Sequence, residues 1–396
     1  MALVGAAGIA AAAPPTRAQD DAASEPRRTE WSLQLEGGSE YDSNVHRADR
    51  SETDPGAVVG SPLGRLGARH HVSWRRTPRE LFTLSSYGGL KLFTSEDGQV
   101  ENVAVLSADG GYDWHLSGRG AILGLTGSYY DAIPYHVAEP VDDDRFKGRH
   151  FRVGNGEASL ALLGQGVHRV SAVAGYRVFH YKPDPDVDWR GEHIGLLYEA
   201  TFWRGDPDRD DDAAQVDLVA GYRVERRGYA GSALTSACAD RHDPDPMCTS
   251  PTALPRADLN HSLVAEGIYT GERVYSARYE LQVNDSNSFG QSLLRQKLRL
   301  GLTTELFRDL VLTAEATILV DIYSDPLLVP GDQQALTFVS IDEENRNSLA
   351  MHLSRPLTRN WAIEGRYAIY SNEFTNHELT FRRQTVYLGA VYRYGR

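Results

Sequence analysis

The sequence predicts an all-β chain: a transmembrane, antiparallel up-and-down β-barrel of about sixteen strands. Three observations predict it. From residue 31 onward, segments of about a dozen residues alternate apolar and polar side chains, the period of a strand wetted on one face and apolar on the other. The links between segments are short turns after every second strand and longer loops after many of the others, as in membrane barrels with turns on the periplasmic side and loops outside. Glycine and tyrosine are plentiful and methionine and lysine scarce, which suits twisted strands with interfacial aromatics.

Bulk properties narrow the alternatives. Mean hydropathy is negative, and no run of 18 apolar residues follows the N-terminus, so transmembrane helices are excluded. Barrel strands need only every second residue to be apolar. A net charge of −13 without a basic, aromatic-interleaved cluster argues against a nucleic-acid partner.

Taken in order, residues 1–18 are apolar and alanine-rich, with small residues leading to Ala18. They are expected to be the remnant of a secretory signal peptide. Residues 19–30 are polar and are expected to form a disordered periplasmic tail, with the barrel occupying 31–396. In 31–41, Leu33 and Leu35 take the lipid side and Gln34, Glu36 and Glu40 the water side. In 65–75, Leu66, Ala68, Val72 and Trp74 oppose Arg65, Arg69, Ser73 and Arg75. Strand 81–93 follows a turn at 77–80, and strands 103–116 and 121–130 flank a turn at 117–120. Strand 151–163 turns at 164–166 into 167–181, and 192–203 and 215–225 flank an acidic turn. Strands 260–269 and 274–284, 293–306 and 310–323, and 346–353 and 361–370 are three further hairpins. In the last strand, 379–394, Val386, Leu388, Ala390, Tyr392 and Tyr394 share the apolar side.

Several strands close at their loop end with an aromatic followed by Asp, Ser or Asn: Tyr41-Asp42, Tyr130-Asp131, Tyr323-Ser324 and Tyr370-Ser371. The expectation is an aromatic at the lipid–water interface and an Asx residue that starts the turn. Residues 387–394 resemble the C-terminal targeting strand of bacterial outer-membrane β-barrels, with a large residue at Tyr387, Gly389 two positions on, and aromatics at Tyr392 and Tyr394. The resemblance implies the outer membrane of a Gram-negative bacterium, surrounded by lipid and lipopolysaccharide. It also implies the barrel assembly machinery as a partner that reads those four residues. Glu40-Tyr41-Asp42-Ser43-Asn44-Val45 is similar to the first-strand end of several such barrels, including polysaccharide-export barrels and surface-lipoprotein assembly modifiers. That resemblance covers the barrel only.

The inward face is the candidate site. Strands 274–284 and 293–306 put Arg278, Arg295, Lys297 and Arg299 inward, beside Glu266, Glu280, Glu305 and Glu315. The same phase elsewhere carries Arg69, Arg177, Glu199, Asp217, Arg223 and Arg366. Arginine facing lipid at the midplane would cost about 2–4 kcal/mol, so these charges belong inside. They either line a wet channel, where the basic row Arg295, Lys297 and Arg299 favours anions, or form cross-strand pairs that stiffen the wall. Cys238 and Cys248 are the only cysteines and share a Pro/Asp-rich stretch. An oxidising compartment would join them, closing a long loop at 229–257 that serves as a plug or lid.

Other clusters carry less. The acidic run 206–212 lacks the glycine and distal glutamate of a calcium loop and reads as a solvated turn. Aspartates at 142–144, 184–188 and 240–245 sit in expected outer loops, where they could share divalent ions with lipopolysaccharide phosphates. His180 and His193 lie near Asp184, Asp186 and Asp188 in sequence, but no motif fixes a catalytic set. No phosphate loop, dinucleotide fingerprint or zinc spacing is present, so neither enzymatic activity nor a cofactor is expected. Two functions remain: a porin-like channel for small polar solutes, or an export or assembly barrel for a polysaccharide or surface protein that works with periplasmic partners.

Overall fold

A computed structural model describes residues 28–45, 58–116, 120–134, 150–164, 168–182, 185–204, 214–236, 249–325, 347–372 and 381–395. Sixteen strands form in chain order. They are β1 (Arg28–Asp42), β2 (Ser61–Thr77), β3 (Glu80–Phe93), β4 (Val103–Leu116), β5 (Ala121–Pro134), β6 (His150–Leu163), β7 (His168–Lys182) and β8 (Trp189–Arg204). Then come β9 (Ala214–Ser236), β10 (Thr249–Thr270), β11 (Val274–Ser286), β12 (Leu293–Phe307), β13 (Leu310–Tyr323), β14 (Asn347–Pro356), β15 (Trp361–Asn372) and β16 (Phe381–Gly395). Each pairs antiparallel with its chain neighbours, and β16 pairs back onto β1 to close the barrel. Closure leaves no sheet edge, so every backbone polar group of the wall can be satisfied within the sheet.

Strand phase follows the alternation in the sequence. Leu35, Leu66, Trp74, Leu106, Leu196, Leu263, Ile318 and Leu388 are exposed on the outer surface. Their sequence neighbours Glu36, Arg65, Ser107, Leu197, Ser262, Thr317 and Tyr387 face the interior, and the register carries this phase from strand to strand. Aromatics cluster outside near the turn end, among them Trp74, Phe82, Trp114, Phe202, Tyr269, Tyr275 and Trp361. That is the position of an interfacial girdle.

The β12–β13 turn has two residues. Arg308 and Asp309 have φ of 49° and 63°, the left-handed pair of a type I′ hairpin, which matches the twist of the flanking strands. Glu305 Oε1 accepts from the Asp309 amide at 3.2 Å. Glu305 therefore braces the turn end and does not line the middle of the barrel.

Three sequence expectations change. β1 begins at Arg28, three residues before the barrel start read at residue 31. Much of the long loop expected at 229–257 is strand: β9 runs to Ser236 and β10 starts at Thr249, with register shifts between Pro251 and Pro255 and between Pro255 and Ala257. Two prolines read as a loop, yet bulges absorb them. The interfacial-aromatic repeat holds only at Tyr41, which is exposed outside. Tyr130 and Tyr370 point inward, to Phe151 and Arg383, and Tyr323 shares the inward phase of Asp321. Asp131 faces outward within β5 and starts no turn. These aromatics fall on the inward phase of their strands, so an aromatic before Asp or Ser did not mark the membrane edge. The signal segment, residues 19–27 of the tail, Cys238, Cys248 and the aspartates at 142–144, 184 and 240–245 lie outside the described residues.

The β1–β16 seam explains both motifs that stood out in the sequence. At the loop end, the Asp42 carboxylate takes Arg383 Nε at 2.9 Å and Nη2 at 2.5 Å. The Asn44 side chain donates to the Arg382 carbonyl at 3.2 Å, and the Ser43 amide to the Gln384 carbonyl at 3.0 Å. Mid-barrel, Tyr387 is buried directly opposite Glu40. Its ring lies across Gly389 and Gly38, where no β-carbon would fit, with Arg366 at 4.8 Å and Arg65 at 5.7 Å over its face. At the turn end, Trp31 and Tyr394 meet edge-on at 5.3 Å.

Candidate functional site: the charged lumen

The interior has two unlike sides. One wall, from β5 to β9, is packed with aromatics toward the loop end. Tyr130, Phe151, Phe179 and Trp189 stack in series at centroid distances of 5.2, 6.3 and 6.0 Å. Val105, Ala132 and Tyr181 complete a buried cluster. Arg227 closes over Trp189 at 4.7 Å and Arg256 over Tyr229 at 4.0 Å. The aromatic and apolar side chains of this cluster bury one another.

Below and beside the cluster the charges are paired across strands. Glu157 accepts from His193 Nε2 and Arg223 Nη2, both at 2.9 Å. The His193 ring is fully buried and lies over Gly175, whose absent β-carbon leaves the space for it. Arg227 donates to Glu225 at 2.5 Å, with Arg177 3.7 Å from the same carboxylate. Farther around, Arg256 holds Asp258 at 2.7 Å, Arg278 holds Glu266 at 3.0 Å, and Arg295 grips Asp321 through two bonds of 2.7 and 2.8 Å. Such fork-on-carboxylate pairs are the strong form of the interaction. Glu280 is held by Gln282. Near the turns, Arg169 meets Glu199 at 3.2 Å, and Asp217 accepts from Thr201 at 2.7 Å.

The opposite wall, from β1 to β3 and β12 to β16, opens onto a cavity of about 440 Å³. Eight cationic side chains line it: Arg65, Arg69, Lys91, Lys297, Arg299, Arg366, Arg383 and Arg393. Among the described residues, four carboxylates do so: Glu36, Glu40, Glu315 and Glu364. Glu40 takes Lys91 at 3.1 Å and Arg65 at 3.3 Å; Arg366 reaches Glu36 at 2.8 Å and Glu364 at 2.9 Å. Arg299 stands 3.2 Å from Glu315. Arg69 is exposed to the lumen, rests on the Tyr87 ring at 5.5 Å and makes no ion pair among the described residues.

Every charged residue that the sequence assigned inward has that phase. The structure brings Arg69, Lys297, Arg299, Glu315 and Arg366 to one cavity. It leaves Arg177, Arg223, Glu199, Asp217, Glu266, Arg278, Glu280 and Arg295 in pairs around the rest of the wall. The basic row is thus divided: Arg295 is tied to Asp321, while Lys297 and Arg299 reach the cavity. Lys91, Glu157, His193 and Arg227 were not singled out as lumen residues, although the first three lie on the inward phase of the expected strands and Arg227 two residues beyond one. His180 faces outward and His193 inward, so the two are not one site. No group of three metal-ligating side chains occurs among the described residues.

No protein-family model matches the chain, and no curated protein matches it. Among solved structures it is similar to a loop-L8 deletion mutant of OmpT, an outer membrane protein of Vibrio cholerae (10% identity, 93% of this chain and 100% of that one, TM-score 0.42). It is also similar to an anion-selective porin from Comamonas acidovorans (12% identity, 93% and 100%, TM-score 0.42). A third is CdiB from Acinetobacter baumannii (8% identity, 92% and 60%, TM-score 0.45). The architecture itself, an even-stranded closed antiparallel barrel with an apolar exterior, a charged interior and its shortest turns at one end, is that of a bacterial outer-membrane β-barrel.

Proposed function

We propose that this chain is a passive outer-membrane channel for small polar solutes, with a preference for anions. The observation that supports it is the excess of cations over carboxylates on one lumen wall, with Arg69 exposed and outside any ion pair among the described residues. A polar solute passing that wall exchanges hydration for guanidinium and ammonium donors, and like charge repels cations. The paired charges on the other wall act as structure: they hold the strands in register and contribute little net field. The same proposal gives the chain no catalytic role and no cofactor, and makes the barrel assembly machinery its only obligatory protein partner.

The test is reversal potential in planar bilayers across a tenfold KCl gradient, using the refolded full chain. A potential on the chloride side of zero is expected; a potential on the potassium side would overturn the anion preference.

The aromatic cluster supports a second reading, an export or assembly barrel that opens only with periplasmic partners. It fills part of the lumen at the loop end. That reading expects a silent barrel, conducting only after a reductant frees a Cys238–Cys248 loop.

A further inference from the structure

A second charged surface lies on the outside, where sequence alternation predicts lipid contact. On β6 the outward column runs His150, Arg152, Gly154, Gly156, Ala158, Leu160. The outward column of β7 begins Lys182, His180, Val178, Tyr176, and Arg190 of β8 stands opposite Val178. The loop end of these three strands therefore presents five basic side chains to the exterior. Asp131 answers two of them, His150 at 2.8 Å and Arg152 at 3.3 Å, and Tyr129 donates to the same carboxylate at 2.9 Å. Asp188 answers His180 at 3.0 Å. Lys182 and Arg190 are exposed and make no ion pair among the described residues. The Arg152 side chain, though within reach of Asp131, is 52% exposed.

Directly below the charges the wall is bare. Gly154, Gly156 and Ala158 follow one another on the outer face of β6, a column about 14 Å long at the rise of a strand. Gly127 of β5 sits opposite Gly156 and Ala174 of β7 opposite Ala158. A β-carbon at Gly156 would meet nothing within 4 Å. Tyr129 and Tyr176, both exposed, stand on either side. The result is a shallow trough on the lipid face, railed by two aromatic rings and capped by cations.

We propose that this trough and its cap bind a bisphosphorylated acyl glycolipid of the lipid A type from the outer leaflet. One acyl chain lies along Gly154–Ala158, and the headgroup phosphates meet Arg152, Lys182 and Arg190. Three arguments favour that occupant. Charges on the lipid face are tolerated only near the headgroups, where the cost falls to about 0–1 kcal/mol. Guanidinium and ammonium groups are the natural partners of phosphate. Spread over three strands, the cations match a headgroup with two separated phosphates better than a single-phosphate lipid. Asp131 and Asp188 act as positioning residues that hold Arg152 and the two imidazoles in place. The site is independent of whether the lumen conducts.

The experiment is native mass spectrometry of the refolded full chain, titrated separately with bisphosphoryl lipid A and with phosphatidylglycerol. The wild type is expected to retain lipid A at least ten-fold more tightly. Arg152→Glu with Lys182→Glu should abolish that preference, and Gly156→Trp, which fills the trough from a position whose β-carbon meets nothing, should weaken lipid A binding several-fold with the cations untouched. Heat-modifiable gel mobility checks folding, and Arg152→Gln with Lys182→Gln replaces the charge reversal if that variant does not fold. Equal retention of the two lipids by the wild type, or undiminished lipid A retention by both the charge variant and Gly156→Trp, would overturn the proposal.

Discussion

Replacing Gly389 by alanine tests the closure of the barrel at its seam. A β-carbon there would overlap the Tyr387 hydroxyl and ring and lie 2.7 Å from the Gly37 carbonyl of β1. The ring is the part that can move. Moving it gives up the burial of a large aromatic, worth about 1.5–3 kcal/mol, and two cation–π contacts of about 0.5–2 kcal/mol each, with Arg366 and Arg65. Gly389→Ala should therefore destabilise the barrel by about 3–5 kcal/mol. Tyr387→Ala removes the ring at similar cost but leaves Gly389 free to accept a methyl group. The assay is urea unfolding in detergent micelles, read by intrinsic fluorescence and by heat-modifiable mobility. In the double-mutant cycle, the cost of Gly389→Ala should fall by at least half on the Tyr387→Ala background. An equal cost on both backgrounds would refute the ring as the cause and place the clash at the Gly37 carbonyl. Tyr387→Phe is the internal control. The hydroxyl is buried without a hydrogen-bond partner among the described residues, so its removal should change stability by less than about 1 kcal/mol.

Three further outcomes follow from the geometry. Arg69→Glu changes the cavity wall by two charges; at about 5 Å in water with screening at 0.1 M salt, each is worth about 0.5 kcal/mol to a passing ion, so the anion-to-cation permeability ratio should fall by roughly ten-fold or more, read as reversal potential. Arg308→Asn with Asp309→Gly supplies the residues that a type I′ turn prefers at positive φ and should raise the urea midpoint by the equivalent of about 1–2 kcal/mol. Gly175→Ala places a methyl group 2.5 Å from the Gly156 carbonyl and 2.6 Å from the His193 ring and should strain β6–β7 and push the ring from Glu157, lowering the urea midpoint, while Gly156→Ala, one row away on the outer face and facing open space, should not.

Fold class and strand phase were legible because they depend on one local variable, alternation. A residue such as Arg299 can face only the interior once Leu298 and Leu300 face lipid, and the structure has that arrangement. The strand ends were less legible. Pro251 and Pro255 look like loop residues, and only pairing with β9 shows that β10 absorbs them. Tyr130 and Tyr370 look interfacial by their place before Asp or Ser, but the phase of their strands turns them inward. The cavity was not legible at all. Arg69, Lys297 and Arg366 lie on three strands far apart in the chain, and their meeting depends on closure of β16 onto β1.

Closure also explains why one interior can hold two chemistries. Alternation requires the outer face to be apolar along the membrane-spanning part of every strand, yet it sets no condition on the inner face except that charges there find water or partners. From β5 to β9 the inner positions toward the loop end are Tyr130, Phe151, Phe179 and Trp189, which satisfy one another. From β12 to β3 they are Lys297, Arg299, Arg366, Arg65 and Arg69, which outnumber the carboxylates beside them. The first group needs no water, and the second cannot do without it. On the proposed channel function, the water path runs along the β1–β16 seam. The residues that close the seam, Glu36, Glu40, Arg65 and Arg366, are the same ones that line that path. Charge changes made there should alter stability and selectivity together, whereas Arg69, which joins no seam pair, should alter selectivity alone.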